Sequence, residues 1–330
     1  MSINASRRNR HPPRQKHISI IVPFFNEGDG VEIFDTALQP VLAGLPEYQF
    51  EIICIDDGSA DDTLDRLLAL AQGNPQYHVI ELSRNFGKEA AMTAGIDLAS
   101  GAAVIPIDAD LQDPPSLILK FVHAWESGAE VVLAHRAHRD TDGYLKRKTA
   151  EWFYRLHNHL ADIAIPQNVG DFRLMDRCVV DALKRLPEQQ RFMKGLFSWV
   201  GFKTVVLDYD REPRAFGISK FPGWKLWNFA IEGITSFSTT PLKIWTYVGI
   251  TGAAFTILYA LAIVIMTFIW GIDVPGYASL LIAILFFGSL QLISLGLLGE
   301  YIGRIYIESK HRPIYIIRND YRDDSVKDAS

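Results

Sequence analysis

Acidic and amide side chains follow an apolar run near the middle of this chain. The stretch Asp108-Ala109-Asp110-Leu111-Gln112 comes directly after the run from Ala103 to Ile107. Two closely spaced carboxylates and an amide oxygen can converge on a hard cation such as Mg²⁺ or Mn²⁺. Such an all-oxygen site leaves positions open for substrate phosphates, where the cation neutralises charge on a departing diphosphate. Asp108, Asp110 and Gln112 therefore predict a metal site that activates a leaving group.

Two more acidic clusters follow apolar runs earlier in the chain. Asn26-Glu27 comes after the run from Ile18 to Phe25, and Asp56-Asp57-Gly58-Ser59 comes after Glu51 to Ile55. A single acid at such a place is often a helix cap, and Ser59 with Asp62 could begin the next helix. Three acidic clusters in the same kind of position predict a shared site instead.

Short β-rich runs alternate with helical patterns through the first half of the chain. The runs cover 18–22, 51–55, 78–82, 103–107 and 131–134. This alternation predicts βαβ units and a mostly parallel sheet, in which ligands bind beyond the carboxyl ends of the strands. No G-x-G-x-x-G follows the first run and no G-x-x-x-x-G-K-[ST] occurs, which argues against dinucleotide redox enzymes and P-loop NTPases. A D-x-D phosphatase of the haloacid-dehalogenase type is a poor fit because of Gln112.

Two long uncharged stretches occupy the last third of the chain. Ile244 to Trp270 and Val274 to Gly299 contain no charged residue, and each exceeds the roughly 20 residues that a membrane-spanning helix needs. The alternative is a pair of buried core helices. The connection is short, and basic residues flank the outer ends of both stretches rather than the tip. By the positive-inside rule we expect a hairpin with both chain termini in the cytoplasm.

Composition restricts the remaining classes. The 330 residues are 48% hydrophobic and 22% charged, which predicts a folded chain. A net charge of −5 argues against nucleic-acid binding, and two cysteines exclude a disulfide scaffold or a thiolate zinc site.

Several motifs together resemble the family-2 glycosyltransferases that act on polyprenyl phosphates, the group of bactoprenol glucosyltransferases and dolichyl-phosphate mannose synthases. The motifs are Ile21-Val22-Pro23-Phe24-Phe25-Asn26-Glu27, Ile55-Asp56-Asp57-Gly58-Ser59, Arg84-Asn85-Phe86-Gly87-Lys88, Asp108 to Pro115, Gly170-Asp171-Phe172-Arg173 and Gly217-Ile218-Ser219-Lys220. The resemblance implies a GT-A fold, which is α/β and Rossmann-like, and an inverting transfer from a nucleotide sugar to a lipid phosphate.

The resemblance also implies roles for single residues. It implies that the nucleotide sugar is bound by Pro23, Glu27, Asp56, Asp57, Arg84, Lys88 and Asp108. For Lys88 a surface salt bridge, for instance to Glu89, is an alternative. Acceptor or diphosphate binding falls to Arg136, Arg147, Arg214, Ser219 and Lys220. Arg147 lies in the basic run 146–148, which opens an amphipathic stretch, 145–160, that we expect at the membrane surface, with a core-facing helix as the alternative. Where some members have a serine four places after this arginine, the chain has Glu151.

Catalysis is assigned to Asp110, Asp171 and Arg173 by the same resemblance. A phosphate monoester has its second pKa near 6 and is already nucleophilic at cytosolic pH. A strong base is therefore unnecessary, and Asp171 is expected either to orient groups, through Arg173, or to abstract a proton.

Five segments are expected along the chain. They are a flexible basic tail (1–17), a GT-A domain (18–220), an interfacial amphipathic segment (221–243), two transmembrane helices within 244–303 (about 244–270 and 275–299) and a cytoplasmic tail (304–330).

The local sequence from Leu82 to Ala91 is most similar to that of bacterial bactoprenol glucosyltransferases. This resemblance predicts UDP-glucose as donor, undecaprenyl phosphate as acceptor and a bacterial inner-membrane location. The product would serve O-antigen or cell-envelope glycosylation. Aminoarabinose derivatives, N-acetylglucosamine or mannose are alternative donors, and a processive polysaccharide synthase or a non-catalytic binder are alternative functions. The resemblance favours a homo-oligomer. Because a two-helix hairpin is small, we expect a separate flippase to move the product.

Overall fold

A mixed eight-stranded sheet organises the first part of the protein. The computed structural model describes residues 17–136, 169–189, 191, 193–209, 240–270 and 276–322. The strands are β1 (His17–Phe24), β2 (Gln49–Asp56), β3 (Tyr77–Leu82), β4 (Ala103–Pro106), β5 (Val131–Arg136), β6 (Val169–Asp176), β7 (Thr204–Tyr209) and β8 (Ile317–Asp320). Their order in the sheet is β7-β5-β6-β4-β1-β2-β3-β8.

The centre of the sheet is parallel, as the alternating pattern predicted. β4, β1, β2 and β3 run in one direction, whereas β6 is antiparallel to its neighbours β4 and β5. β5 and β7 are parallel to each other. The carboxyl ends of β1, β2 and β4 therefore lie at one edge of the sheet, which brings together the segments that follow them.

Helices cover both faces of this sheet. They are α1 (Gly28–Ala43), α2 (Thr63–Gly73), α3 (Lys88–Leu98), α4 (Leu117–Glu126), α5 (Arg177–Lys184) and α6 (Met193–Trp199). Helices α1, α2 and α4 contribute Phe34, Leu67 and Phe121 to one hydrophobic core. α3 packs so closely on the other face that a Cβ at Gly95 would come within 2.2 Å of Ile21 Cγ2.

Two long helices form a separate compact unit. α7 (Thr240–Trp270) and α8 (Tyr277–Ser309) belong to it, whereas the strands and the shorter helices, with 313–322, form the other unit. By length and composition, both long helices could cross a membrane: Trp245–Ile263 has a mean hydropathy of 1.7 and Ala283–Ser309 one of 1.6. Large apolar side chains such as Phe268, 88% exposed, face outward. In water this would be an unusually large apolar surface.

The segment after the second long helix pairs with the edge of the sheet. α8 continues to Ser309, and β8 pairs antiparallel with β3 at the sheet edge. Glu81 of β3 accepts hydrogen bonds from Arg318, Asn319 and Tyr321. β8 has only four residues and a single apolar one, Ile317, which ends the short apolar run 314–317, and no strand is expected there from the sequence.

Candidate active site

The loops after β1 and β2 are tied to each other by side-chain hydrogen bonds. Asn26 adopts a left-handed conformation with φ of 52°. The backbone amide of Asn26 donates to Ser59 Oγ at 2.9 Å, and its side-chain Oδ1 accepts from the backbone amide of Ala60 at 2.8 Å. The Glu27 amide donates to Thr63 Oγ1 at 3.0 Å. The two acidic clusters predicted to share a site are therefore held as one structural unit.

Asp57 fixes the loop that leads into α3. Its Oδ1 accepts from the Phe86 amide at 2.7 Å, and its Oδ2 accepts from the Gly87 amide at 2.9 Å. Burial raises the pKa of Asp57, although these two hydrogen bonds oppose the shift. Asp56 is buried beside it and accepts from the Ser59 amide, and burial raises its pKa as well. Both carboxylates thus shape the backbone of the site.

Lys88, the first residue of α3, joins two of the predicted acids. Its Nζ lies 2.7 Å from Asp108 Oδ1 and 2.8 Å from Asp171 Oδ2. The two carboxylates hold the pKa of Lys88 well above its usual value. Lys88 thus forms a salt bridge, as the alternative interpretation has it, with Asp108 and Asp171 as the partners, and its role in nucleotide-sugar binding stays a prediction.

The D-x-D segment after β4 turns back on itself. Leu111 has φ of 55°, and the Gln112 amide donates to Asp110 Oδ1 at 3.2 Å. Gln112 Oε1 is buried and accepts no hydrogen bond from the described residues. An unpartnered amide oxygen beside carboxylates suits Mg²⁺ or Mn²⁺. In the described part of the chain no three His, Cys, Asp or Glu side chains form a metal cluster.

Asp171 and Arg173 lie on β6 with different surroundings. Burial raises the pKa of Asp171, but Lys88 and Lys194 outweigh burial and lower it. Arg173, 4% exposed, donates to the carbonyl oxygens of Gly170 (2.7 Å) and Asp171 (3.2 Å). Its guanidinium also stacks 3.9 Å from the Phe197 ring centroid. Burial lowers the pKa of Arg173 to about 10, and backbone carbonyls rather than carboxylates satisfy its donors.

Glu89 is a site-adjacent carboxyl that the motifs do not identify. Its Oε2 accepts from the Met193 amide at 3.2 Å, which joins α3 to α6. Burial and then the Asp171 charge raise the pKa of Glu89 to about 8. The only signal in the sequence is its place in the first turn of a helix, where acids are common for other reasons.

The remaining predicted residues divide into described and undescribed positions. Pro23 is half-buried in β1 opposite Ile55, and Arg84 is exposed with its guanidinium 4.0 Å from the Phe86 ring centroid. Arg136 ends β5. Four predicted acceptor-site residues lie outside the described residues, as do 145–160 and most of 221–243; they are Arg147, Arg214, Ser219 and Lys220.

The sheet places carboxylates, an amide oxygen and a lysine at the carboxyl ends of its parallel strands, an arrangement that fits the GT-A class of glycosyltransferases. Residues 19–183 match the family described as Glycosyl transferase family 2, and residues 240–305 match the GtrB C-terminal hairpin. The chain belongs to glycosyl transferase family 2. The predicted family, fold class and enzyme class are confirmed.

Relatives match almost the whole chain. A bactoprenol glucosyl transferase of Shigella phage SfV is 55% identical over 303 residues, which cover 92% of this chain and 98% of the relative. A prophage bactoprenol glucosyl transferase homolog of Escherichia coli K12 is 52% identical, with 91% and 98% covered. A glucosyl-3-phosphoglycerate synthase from Mycobacterium tuberculosis, solved with Mn²⁺, UDP and phosphoglyceric acid, gives a TM-score of 0.48 at 21% identity, with 68% and 77% covered.

Proposed function

We propose that this protein transfers glucose from UDP-glucose to undecaprenyl phosphate, with inversion, at the cytoplasmic face of a bacterial inner membrane. The products are the glucosylated lipid phosphate and UDP, and the lipid product serves O-antigen or cell-envelope glycosylation. The observation that carries this proposal is the similarity to bactoprenol glucosyl transferases, which includes both the catalytic domain and the carboxyl-terminal hairpin at 52–55% identity.

Asp108, Asp110 and Gln112 would hold Mg²⁺ or Mn²⁺ together with the donor diphosphate. When bound, the cation neutralises the charge that develops on the leaving diphosphate. The buried, unpartnered Gln112 Oε1 supports this assignment, as does the oxygen-only set of side chains. The loops after β1 and β2, with Pro23, Glu27 and Asp57, would enclose the nucleoside.

The acceptor phosphate would act as its own nucleophile. One of its oxygens attacks the anomeric carbon of glucose, and the bond from that carbon to the diphosphate oxygen breaks. Lys88 lowers the pKa of Asp171, which keeps this carboxylate ionised and makes it a weak base. Asp171 therefore acts by holding Lys88 at 2.8 Å rather than by removing a proton.

The membrane helices would bring this site to the lipid. A long polyprenyl chain stays in the bilayer, so an enzyme that modifies its phosphate must work at the surface. We place α7 and α8 across the membrane with both termini in the cytoplasm, and Arg136, Arg147, Arg214, Ser219 and Lys220 around the acceptor phosphate. The expected segment bounds, a homo-oligomeric state and a separate flippase belong to the same proposal.

The test uses the full chain purified in detergent. It is incubated with undecaprenyl phosphate, Mg²⁺ and a panel of UDP- and GDP-sugars, and the lipid mass and nucleotide release are followed. We expect a lipid heavier by one hexose with UDP-glucose only. Asp110→Asn should abolish the product, whereas Asp65→Asn, an exposed carboxylate in α2, should not. Product from another donor would refute glucose, and no product with any donor would refute the reaction.

A further inference from the structure

The Lys88 ammonium lies between two carboxylates, that of Asp108 after β4 and that of Asp171 in β6. Its Nζ lies 2.7 Å from Asp108 Oδ1, 2.8 Å from Asp108 Oδ2 and 2.8 Å from Asp171 Oδ2. A cation that is almost equidistant from both oxygens of one carboxylate sits where that carboxylate would chelate a metal ion. Lys88 and a divalent cation therefore need the same face of Asp108.

The side chain of Lys88 can leave without a change in the backbone. Its side chain is 43% exposed, so solvent reaches it. The backbone at its base is fixed, because the Gly87 amide donates to Asp57 Oδ2 and the Gly87 carbonyl accepts from the Ala90 amide. Exchange at Asp108 thus needs only rotation about the bonds of one flexible side chain, with Asp171 as the remaining partner.

We propose that Lys88 competes with the divalent cation for Asp108 and thereby makes cation binding depend on the nucleotide. Without nucleotide, a unit charge and a double charge on one carboxylate repel each other strongly, since they would lie a few ångströms apart. The negative diphosphate offsets this repulsion, so the divalent cation can then take the face of Asp108 while Lys88 stays on Asp171. The idea rests on the proposed function in one respect, namely that Asp108 is a ligand of the diphosphate-bound cation.

The first test measures Mn²⁺ alone on the full chain in detergent, from the free-ion electron paramagnetic resonance signal. Loss of a unit charge close to a divalent ion should tighten binding at least about tenfold in Lys88→Met. Lys88→Arg keeps the charge and should bind Mn²⁺ about as weakly as the wild type. Lys120→Met removes an exposed lysine on α4 and should change nothing. Asp108→Asn in the Lys88→Met chain should remove the gain.

The second test repeats the titration with saturating UDP. UDP should tighten Mn²⁺ binding to the wild type about tenfold more than to Lys88→Met. Only the wild type has a Lys88 charge for the diphosphate to offset. Equal or weaker Mn²⁺ binding by Lys88→Met without UDP would overturn the competition. If thermal unfolding shows that Lys88→Met does not fold, Lys88→Gln replaces it under the same expectations.

The lipid assay separates this inference from the proposed function. A wild type that makes no glucosylated lipid, while Lys88→Met binds Mn²⁺ more tightly, would refute the function and support the competition. A wild type that makes the product, while Lys88→Met binds Mn²⁺ no better, would support the function and refute the competition.

Discussion

Asp57→Asn should destabilise the catalytic domain, although the motif suggests a residue that merely contacts nucleotide. Its carboxylate, 3% exposed, accepts two backbone amides at 2.7 and 2.9 Å. The asparagine side chain can accept only one of them and turns its own NH₂ group toward the other. A buried amide left without an acceptor costs about 1–3 kcal/mol. Part of this cost is offset, because burial already disfavours the Asp57 charge and raises its pKa.

A net loss of about 2 kcal/mol corresponds to a fall in Tm of about 4–8 °C for a domain of this size. The assay is thermal unfolding of the full chain in detergent, with Asp65→Asn as the control at an exposed carboxylate. Because Asp57 holds the amide that precedes Lys88, turnover should fall together with Tm. A Tm within about 1 °C of wild type, with a raised KM for UDP-glucose, would refute this reasoning and leave Asp57 as a direct nucleotide contact.

Three further predictions concern charged groups that pack around the sheet. Burial raises the pKa of Glu89 to about 8. The stability that this group contributes is therefore fully present below its usual pKa of 4.5 and is lost as pH rises through 8. Glu89→Gln should therefore match wild type at pH 4 and exceed it by about 1–3 kcal/mol at pH 9 in thermal unfolding; parallel curves would contradict this. Burial opposes ionisation of Glu81, but three hydrogen bonds, mainly from β8, outweigh burial and lower its pKa. The stability that Glu81 contributes is present above its usual pKa of 4.5 and is lost as pH falls through the lowered pKa. Glu81→Gln should therefore lower the free energy of unfolding by about 2 kcal/mol at pH 7 and by progressively less in acid. Arg173→Lys should lower both Tm and turnover, since lysine cannot stack on Phe197 and donate to two carbonyls together; unchanged turnover would exclude a positioning role.

Local features of the sequence are enough to place the acidic clusters. Each apolar run becomes a buried strand, and each cluster follows one, so the shared edge of a parallel sheet brings Asp57 and Asp108 to the same region. The two long helices are equally readable because span length and the absence of charge are local properties. These parts of the fold need no knowledge of distant contacts.

Long-range pairings are the part that the sequence pattern does not reveal. Lys88 and Asp171 are 83 residues apart, and only the folded chain brings the first residue of α3 to β6. The motif that contains Asp57 suggests a ligand contact, yet both of its oxygens bind the chain's own backbone. β8 pairs with β3, and Arg318 of β8 donates a hydrogen bond to Glu81 of β3, 237 residues earlier in the chain. In each case the deciding partner lies on another element.

In the proposed reaction Asp171 fixes charge rather than accepting a proton. Lys88 and Lys194 outweigh burial and hold its pKa below the usual range, whereas a phosphate monoester has a second pKa near 6. At neutral pH the acceptor would already carry the negative charge that attack requires, and a carboxylate of low pKa would gain little by taking a proton from it. The same ion pair keeps Lys88 within 2.8 Å of Asp108, the first acid of the D-x-D segment. Asp171 would then control which cation Asp108 holds, and through Asp108 the departure of the diphosphate.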